Sequence, residues 1–194
     1  MKTVSALALV CAAGAVYAQP AGTIDLGALT GDMVVSGFFD AGQVAWYSFT
    51  VGDISAPIYL DLSTNGSTNP DGSTADTELG LYDFAGNFMI TDDDDGIGLT
   101  SVLTFGAGSG LLLGDSFNLG GDGIANGEDG NLGAGTYYLA IGEFNTIFGT
   151  AGWGIDQYGD EGVNYTLSIY HNVPAPGALG VLGVCGLVSL RRRR

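Results

Sequence analysis

Short segments in which apolar and polar residues alternate are the feature that most limits how this chain can fold. Alternation with a period of two is typical of half-buried β-strands. The pattern is clearest at Gln43–Val51, Thr136–Phe144 and Val163–Tyr170. Seven to nine such segments are separated by turn signals, and helical periodicity is confined to the two termini. The sequence therefore predicts an all-β fold, an antiparallel sandwich of two sheets.

One predicted hairpin ends in an unusual run of acids. The stretch 76–96 predicts a strand, a tight turn, a second strand and then an acidic loop. Gly86 and Asn87 suit the turn, because both residue types tolerate positive φ where the chain reverses. Four consecutive aspartates, Asp92–Asp95, follow the second strand. This pattern indicates a surface feature of an all-β protein rather than a phosphate-binding loop.

The first 18 residues predict a secretory signal peptide. Met1–Lys2 supplies a positive start, Val4–Val16 an apolar segment, and Val16–Ala18 the small residues of a cleavage site. Signal peptidase is expected to cleave after Ala18, so that the mature chain begins at Gln19 and is exported.

The last 22 residues, 173–194, combine a proline motif, an uncharged segment and a basic end. The motif is Pro174, Ala175 and Pro176, the uncharged segment is 177–190, and the end is Arg191, Arg192, Arg193 and Arg194. This order resembles the PEP-CTERM sorting signal of bacteria, although Ala175 replaces the usual glutamate. The resemblance implies an exosortase as partner and a transient inner-membrane anchor through 177–190. The alternative is a permanent membrane helix, for which this segment is short.

Charge is segregated between these terminal segments and the domain that they flank. All five Lys and Arg residues lie in the termini, whereas all 21 Asp and Glu residues lie between Asp25 and Glu161. Residues 19–172 therefore have a formal charge of −21. Nucleic acid and anionic lipid are excluded as electrostatic partners, because the domain offers them no cation. Cys11 and Cys185 also lie in the termini, so the domain has no disulfide.

Four segments in order resemble the bacterial pre-peptidase C-terminal (PPC) domain over most of residues 40–170. They are Trp46–Val51, Asp76–Asp83, the Asp92–Asp95 loop and Gly135–Gly142. The resemblance implies a jelly-roll-like sandwich of a secreted protein, and some collagen-binding relatives hold calcium. The glycine-rich insert, residues 106–131, departs from the usual spacing.

The acidic loops make calcium the main candidate ligand. Ca²⁺ takes about six to eight oxygen ligands from carboxylates, amides and carbonyls on loops. The hairpin and the glycine-rich insert both offer such groups. The candidate ligands are Asp76, Glu78, Asp92, Asp93, Asp94 and Asp95 at the hairpin, and Asp122, Asn126, Glu128 and Asp129 in the insert. The alternative is a solvated acidic surface that holds no specific ion.

Composition argues against most enzyme chemistry. The domain has no Cys or Lys, and its single histidine, His171, adjoins the tail. Catalytic triads, Cys–His pairs and Schiff bases are therefore excluded. A carbohydrate-active hydrolase with paired carboxylates stays an alternative.

Aromatic residues suggest a second alternative, a carbohydrate-binding module in which Trp153 and Tyr158 stack on sugar rings. The competing interpretation is that Trp153 is buried in the core, as most large aromatic residues are. We expect the whole chain to be an exported, non-catalytic protein of the cell surface or extracellular matrix. Its expected role is structural or adhesive, in association with exopolysaccharide.

Overall fold

The structure, a computed structural model, describes residues 18–114 and 123–173. Within these ranges the chain forms eleven strands and no helix. The strands are β1 Ile24–Ala28, β2 Met33–Phe39, β3 Ala45–Val51, β4 Tyr59–Ser63, β5 Thr77–Asp83, β6 Phe88–Asp92, β7 Val102–Gly106, β8 Gly135–Glu143, β9 Ile147–Phe148, β10 Ile155–Gln157 and β11 Val163–His171. The predicted signal peptide up to residue 17 and the predicted tail from residue 174 lie outside the described residues.

Two main sheets confirm the predicted all-β architecture. One sheet has the strand order β1-β3-β8-β5-β6 and the other the order β2-β11-β4-β7, while β9 and β10 form a separate ribbon. The prediction of purely antiparallel pairing is wrong at one edge, because β1 pairs with β3 in parallel. A period of two shows which face of a strand is buried, but it does not show the direction of the neighbouring strand.

The main core lies between the two sheets and is built from the alternating residues of both. Tyr47, Phe49 and Leu81 contribute from the five-stranded sheet, and Leu62 and Leu167 from the four-stranded sheet. All five side chains are at most 1% exposed. The alternation predicted from the sequence therefore corresponds to an inner face on each strand.

A second, smaller cluster covers the outer face of the five-stranded sheet. Trp46 and Tyr82 from the sheet pack there with Trp153 from the segment that follows β8. This segment carries the short strands β9 and β10. Phe148 of β9 lies directly over Gly80 of β5, where an added Cβ would come within 2.5 Å of the phenyl ring.

The glycine-rich insert packs on the outer face of the four-stranded sheet. Leu113 and Ala125 from its described parts form a small cluster with Val102 of β7. The backbone N–H of Ser109 donates to Asp61 of β4 at 2.9 Å. The segment with β9 and β10 thus covers the outer face of one sheet, and the glycine-rich insert covers the outer face of the other. Both coverings bury carboxylates near the acidic loops.

A buried pair of tyrosine hydroxyls provides a test of the packing between the sheets. The hydroxyl oxygens of Tyr47 in β3 and Tyr165 in β11 lie 2.8 Å apart. We expect Tyr165→Phe to lower the free energy of unfolding by about 1–3 kcal/mol, because it leaves the Tyr47 hydroxyl buried without this partner. The double variant Tyr47→Phe/Tyr165→Phe should lose less than the sum of the two single changes.

Chemical denaturation of the three variants measures these differences. Tyr158→Phe is the matched control, because Tyr158 is 47% exposed and its substitution should change stability by no more than about 0.5 kcal/mol. If the double variant loses as much free energy of unfolding as the two single variants together, a direct interaction between the hydroxyls is contradicted.

Candidate metal centre

The β5–β6 hairpin positions the first acidic loop. At its turn, Asp83 Oδ1 accepts hydrogen bonds from the backbone N–H groups of Ala85 at 2.8 Å and Asn87 at 2.9 Å. These bonds satisfy the turn backbone and hold the two strands in register. Asp92 is thereby paired opposite Leu79.

Three carboxylates converge beside the start of β5. Asp76, Asp93 and Asp94 each offer one oxygen, and these oxygens lie within 4.8 Å of one another. We call this group the aspartate triad; it is the one such group of acids, Cys or His in the described ranges. Oδ1 of Asp76 and Oδ1 of Asp94 are buried and accept no hydrogen bond. Clustered oxygens that lack donors favour a bound cation.

Hydrogen bonds with Ser101 and Thr100 fix the loop that carries two members of the triad. Ser101 Oγ lies 2.7 Å from the carbonyl oxygen of Asp93 and 3.0 Å from that of Asp92. The backbone N–H of Gly96 donates to the Thr100 carbonyl at 2.6 Å. The positions of the loop carboxylates therefore follow from a bonded backbone, which lowers the entropic cost of binding an ion.

The electrostatic environment disfavours ionised carboxylates. Burial raises the pKa of Asp76 to about 6, and the negative charges of Asp93, Asp94 and Glu143 add to the effect. Burial also raises the pKa of Glu78 to about 8, again with a contribution from Asp93. Since residues 19–172 contain no Lys or Arg, neither an ammonium nor a guanidinium group offsets this repulsion. A divalent cation would do so.

Two of the four predicted loop aspartates have a different role. Asp92 is 8% exposed, and its Oδ2 accepts a hydrogen bond of 2.7 Å from the backbone N–H of Val102. This bond connects β6 to β7, the edge strands of the two sheets. The backbone N–H of Asp95 also approaches Asp92 Oδ2, at 3.4 Å. The structure thus separates Asp92 and Asp95 from the aspartate triad.

The candidate ligands of the insert lie in different environments. Asp129 Oδ2 accepts a hydrogen bond of 2.6 Å from the backbone N–H of Thr104. Glu128 and Asn126 are exposed, and Glu128 Oε2 lies 3.3 Å from the backbone nitrogen of Asn126. Asp122 lies outside the described residues. The described acids of the insert therefore make no group comparable to the triad.

Two buried acids were missed by the sequence analysis. Asp61 in β4 is fully buried, and its Oδ1 accepts no hydrogen bond. Burial raises its pKa to about 6, although the hydrogen bond from Ser109 opposes the shift. Glu143 ends β8 beside the triad and is 6% exposed. An aspartate between Leu60 and Leu62 in an apolar strand was a visible signal for Asp61, whereas Glu143 carried no such signal.

The aromatic site predicted for sugar stacking does not have the expected exposure. Trp153 is 7% exposed and packs edge-on against Tyr138, with ring centroids 5.2 Å apart. A buried indole is poorly placed to stack on a sugar ring, so the structure favours the competing interpretation, in which Trp153 packs in an apolar cluster. Tyr158 is 47% exposed.

Of the predicted sorting residues, Ala18 is exposed at the start of the described range. Pro174, Ala175, Pro176 and Arg191–Arg194 lie outside the described residues. Within the described part of the chain, no helix has the length and apolar character needed to cross a membrane.

Comparisons with known proteins give little guidance. No family model matches the chain, and no curated protein matches it significantly. Among solved structures, it is similar to PliG of Salmonella Typhimurium, a periplasmic lysozyme inhibitor of g-type lysozyme. The TM-score is 0.39 and the sequence identity 12%, over 79% of this chain and 100% of that chain. A likeness at this level carries no inference about function.

The raised pKa values predict that the metal-free domain becomes less stable as pH rises. Asp61, Asp76 and Asp129 have pKa values of about 6 and Glu78 of about 8 in the folded state. All four exceed the unfolded values of about 4, so the folded state binds more protons between about pH 4 and pH 8. Stability therefore falls with rising pH through this window. In chelator, Tm should be at least about 4 °C lower at pH 8 than at pH 5.

Thermal melts of residues 19–173 in chelator at fixed ionic strength measure this dependence. All described strands lie within Ile24–His171, so this fragment contains the complete described fold. Glu78→Gln should flatten the upper part of the profile, whereas Asp40→Asn, a change at an exposed acid, should not. A Tm that rises steadily from pH 5 to pH 8 would contradict the burial of these carboxylates.

Proposed function

We propose that this chain is an exported, non-catalytic protein of the cell surface or extracellular matrix whose domain binds Ca²⁺ at Asp76, Asp93 and Asp94. The observation that carries the proposal is the convergence of the three carboxylates, two of which have a buried oxygen without a hydrogen-bond donor. The absence of any Lys or Arg from residues 19–172 leaves a metal ion or a proton as the available counter-charge.

The ligand set fits calcium better than other common metals. All three side chains supply oxygen, the donor atom that Ca²⁺ and Mg²⁺ prefer, and no His or Cys lies in the triad. Asp93 and Asp94 sit on a loop rather than on a strand, which suits the adaptable coordination of Ca²⁺. Mg²⁺ requires a nearly octahedral shell of smaller radius and retains most of its waters. Zn²⁺ sites use mainly nitrogen and sulfur ligands.

Calcium at this position would stabilise the junction between the two sheets. Asp76 directly precedes β5, whereas Asp93 and Asp94 follow β6 and lead towards β7 in the other sheet. An ion held by both segments joins the acidic loop to the start of β5. Sites in extracellular modules typically bind calcium at about 10⁻⁴–10⁻³ M, which is the range that a three-carboxylate site on the surface would occupy.

The cellular part of the proposal rests on the terminal sequences. Residues 1–18 would direct export through signal peptidase, and residues 173–194 would act as a PEP-CTERM-like tail for an exosortase-type enzyme. A jelly-roll-like, PPC-type sandwich would then be delivered to the surface, where it serves a structural or adhesive role with exopolysaccharide. The strong negative charge supports solubility in that layer.

The calcium site predicts a stabilisation that is specific to this ion. At 10 mM, Ca²⁺ would exceed a dissociation constant of about 10⁻⁴–10⁻³ M by ten- to hundredfold, so Tm of residues 19–173 should rise by about 3–10 °C. Asp94→Asn should abolish most of the gain, whereas Asp40→Asn should retain it. The gain should be larger at pH 8 than at pH 5, because protons compete for the same oxygens.

Differential scanning calorimetry in Ca²⁺, Mg²⁺ and chelator, at one ionic strength, makes the comparison. Identical Tm values in calcium and chelator would refute the calcium site. An equal gain with Mg²⁺, or an equal gain in the Asp94→Asn variant, would show general charge screening instead.

A further inference from the structure

A groove of about 280 Å³ opens on the outer face of the five-stranded sheet. Phe88 of β6 and Phe148 of β9 line its apolar part, and Glu78 and Asp93 supply its carboxylates. Ligand pockets for drug-sized molecules have volumes of about 300–1,000 Å³. This groove is therefore suited to one side chain or one small ring.

The apolar wall of the groove is a fixed feature. The rings of Phe88 and Phe148 are nearly parallel, with an interplanar angle of 12° and centroids 6.4 Å apart. Phe148 is held against the backbone of β5 at Gly80, which leaves no room for a Cβ. Ile147, at 50% exposure, extends the apolar surface beside the groove.

The acidic part of the groove contains a carboxylate that is more than nine-tenths buried. Glu78 is 8% exposed and lines the groove from β5. Asp93, which is exposed, lines it from the acidic loop. Glu78 accepts a backbone hydrogen bond from Asn145, but a buried carboxylate is still costly without a counter-charge, and residues 19–172 provide no Lys or Arg to supply one.

We propose that this groove binds a lysine or arginine side chain presented by a basic segment of a partner protein. Charge complementarity selects this occupant, because the charged groups of the groove are all carboxylates. The methylene stem would pack on Phe88 and Phe148, and the charged head would bond to Glu78 and Asp93. A neutral occupant leaves these carboxylates without a counter-charge, and an anionic occupant is repelled.

Binding of a basic side chain in the groove does not require calcium, although the two sites share Asp93. Glu78 is available to a basic side chain whether or not the aspartate triad holds an ion. Two cations that use one carboxylate weaken each other's binding by the same factor. The test is therefore made in chelator, where a failure of the calcium site leaves the result unaffected.

Nitrogen-15 NMR of residues 19–173, titrated with an acetylated and amidated Gly-Gly-Lys-Gly-Gly peptide, tests the proposal. We expect shift changes confined to the amides of Glu78, Phe88 and residues 146–148. The same peptide with norleucine in place of lysine has the stem without the ammonium group and should bind at least about tenfold more weakly. Glu78→Gln should weaken binding of the lysine peptide by about tenfold, and Asp93→Asn by less.

Asp40→Asn is the matched control, because it removes one exposed acid away from the groove. Equal weakening in Asp40→Asn and Glu78→Gln, or shift changes spread over the whole surface, would overturn the proposal in favour of non-specific attraction. Equal binding of the norleucine peptide would reduce the groove to an apolar contact. Binding of cellobiose to the same amides, without binding of the lysine peptide, would assign the groove to a sugar.

Discussion

The arrangement of this domain depends on the need to satisfy carboxylates without any Lys or Arg side chain. Residues 19–172 contain 21 acids and no Lys or Arg, so each buried carboxylate needs a backbone N–H, a proton or an external cation. The buried Asp92 takes a backbone N–H group between the sheet edges, and the half-buried Asp83 and Asp129 take backbone N–H groups at the hairpin turn and from β7. Asp76 and Asp94 each retain a buried oxygen without a donor. The first three therefore stabilise the fold, and the other two are candidates for binding.

The sequence was informative about strands because the alternating pattern reports burial directly. In β3, Tyr47 and Phe49 face the main core, as the pattern indicates. The same pattern could not show that Trp46, on the opposite face, is also buried. That burial depends on Trp153, which reaches the outer face from a segment more than a hundred residues later in the chain. Contacts of this kind, like the parallel pairing of β1 with β3, are set by tertiary packing and leave no periodic signal.

The candidate site was harder to derive because the orientation of each aspartate depends on register. A register shift between Leu81 and Tyr82 changes the pairing within the hairpin, and one residue of shift moves a side chain to the opposite face. Counting along the sequence therefore could not show that Asp93 and Asp94 join the triad whereas Asp92 does not. Asp92 lies opposite Leu79, a residue of the main core. Glu143 reaches the same region from β8, because it pairs with Thr77 across the sheet.

The aspartate triad and the groove form one region of overlapping carboxylates, for which protons, the proposed calcium ion and the proposed basic side chain would compete. Asp93 belongs to both, and the charge of Asp93 contributes to the raised pKa values of Asp76 and Glu78 after the larger effect of burial. Any one of the three cations relieves the same repulsion, so binding of one reduces the free energy available to the others. In acid, protons supply this relief and the domain needs no ligand. Above about pH 8 the protons are lost, and the stability of the region then depends on which external cation its surroundings provide.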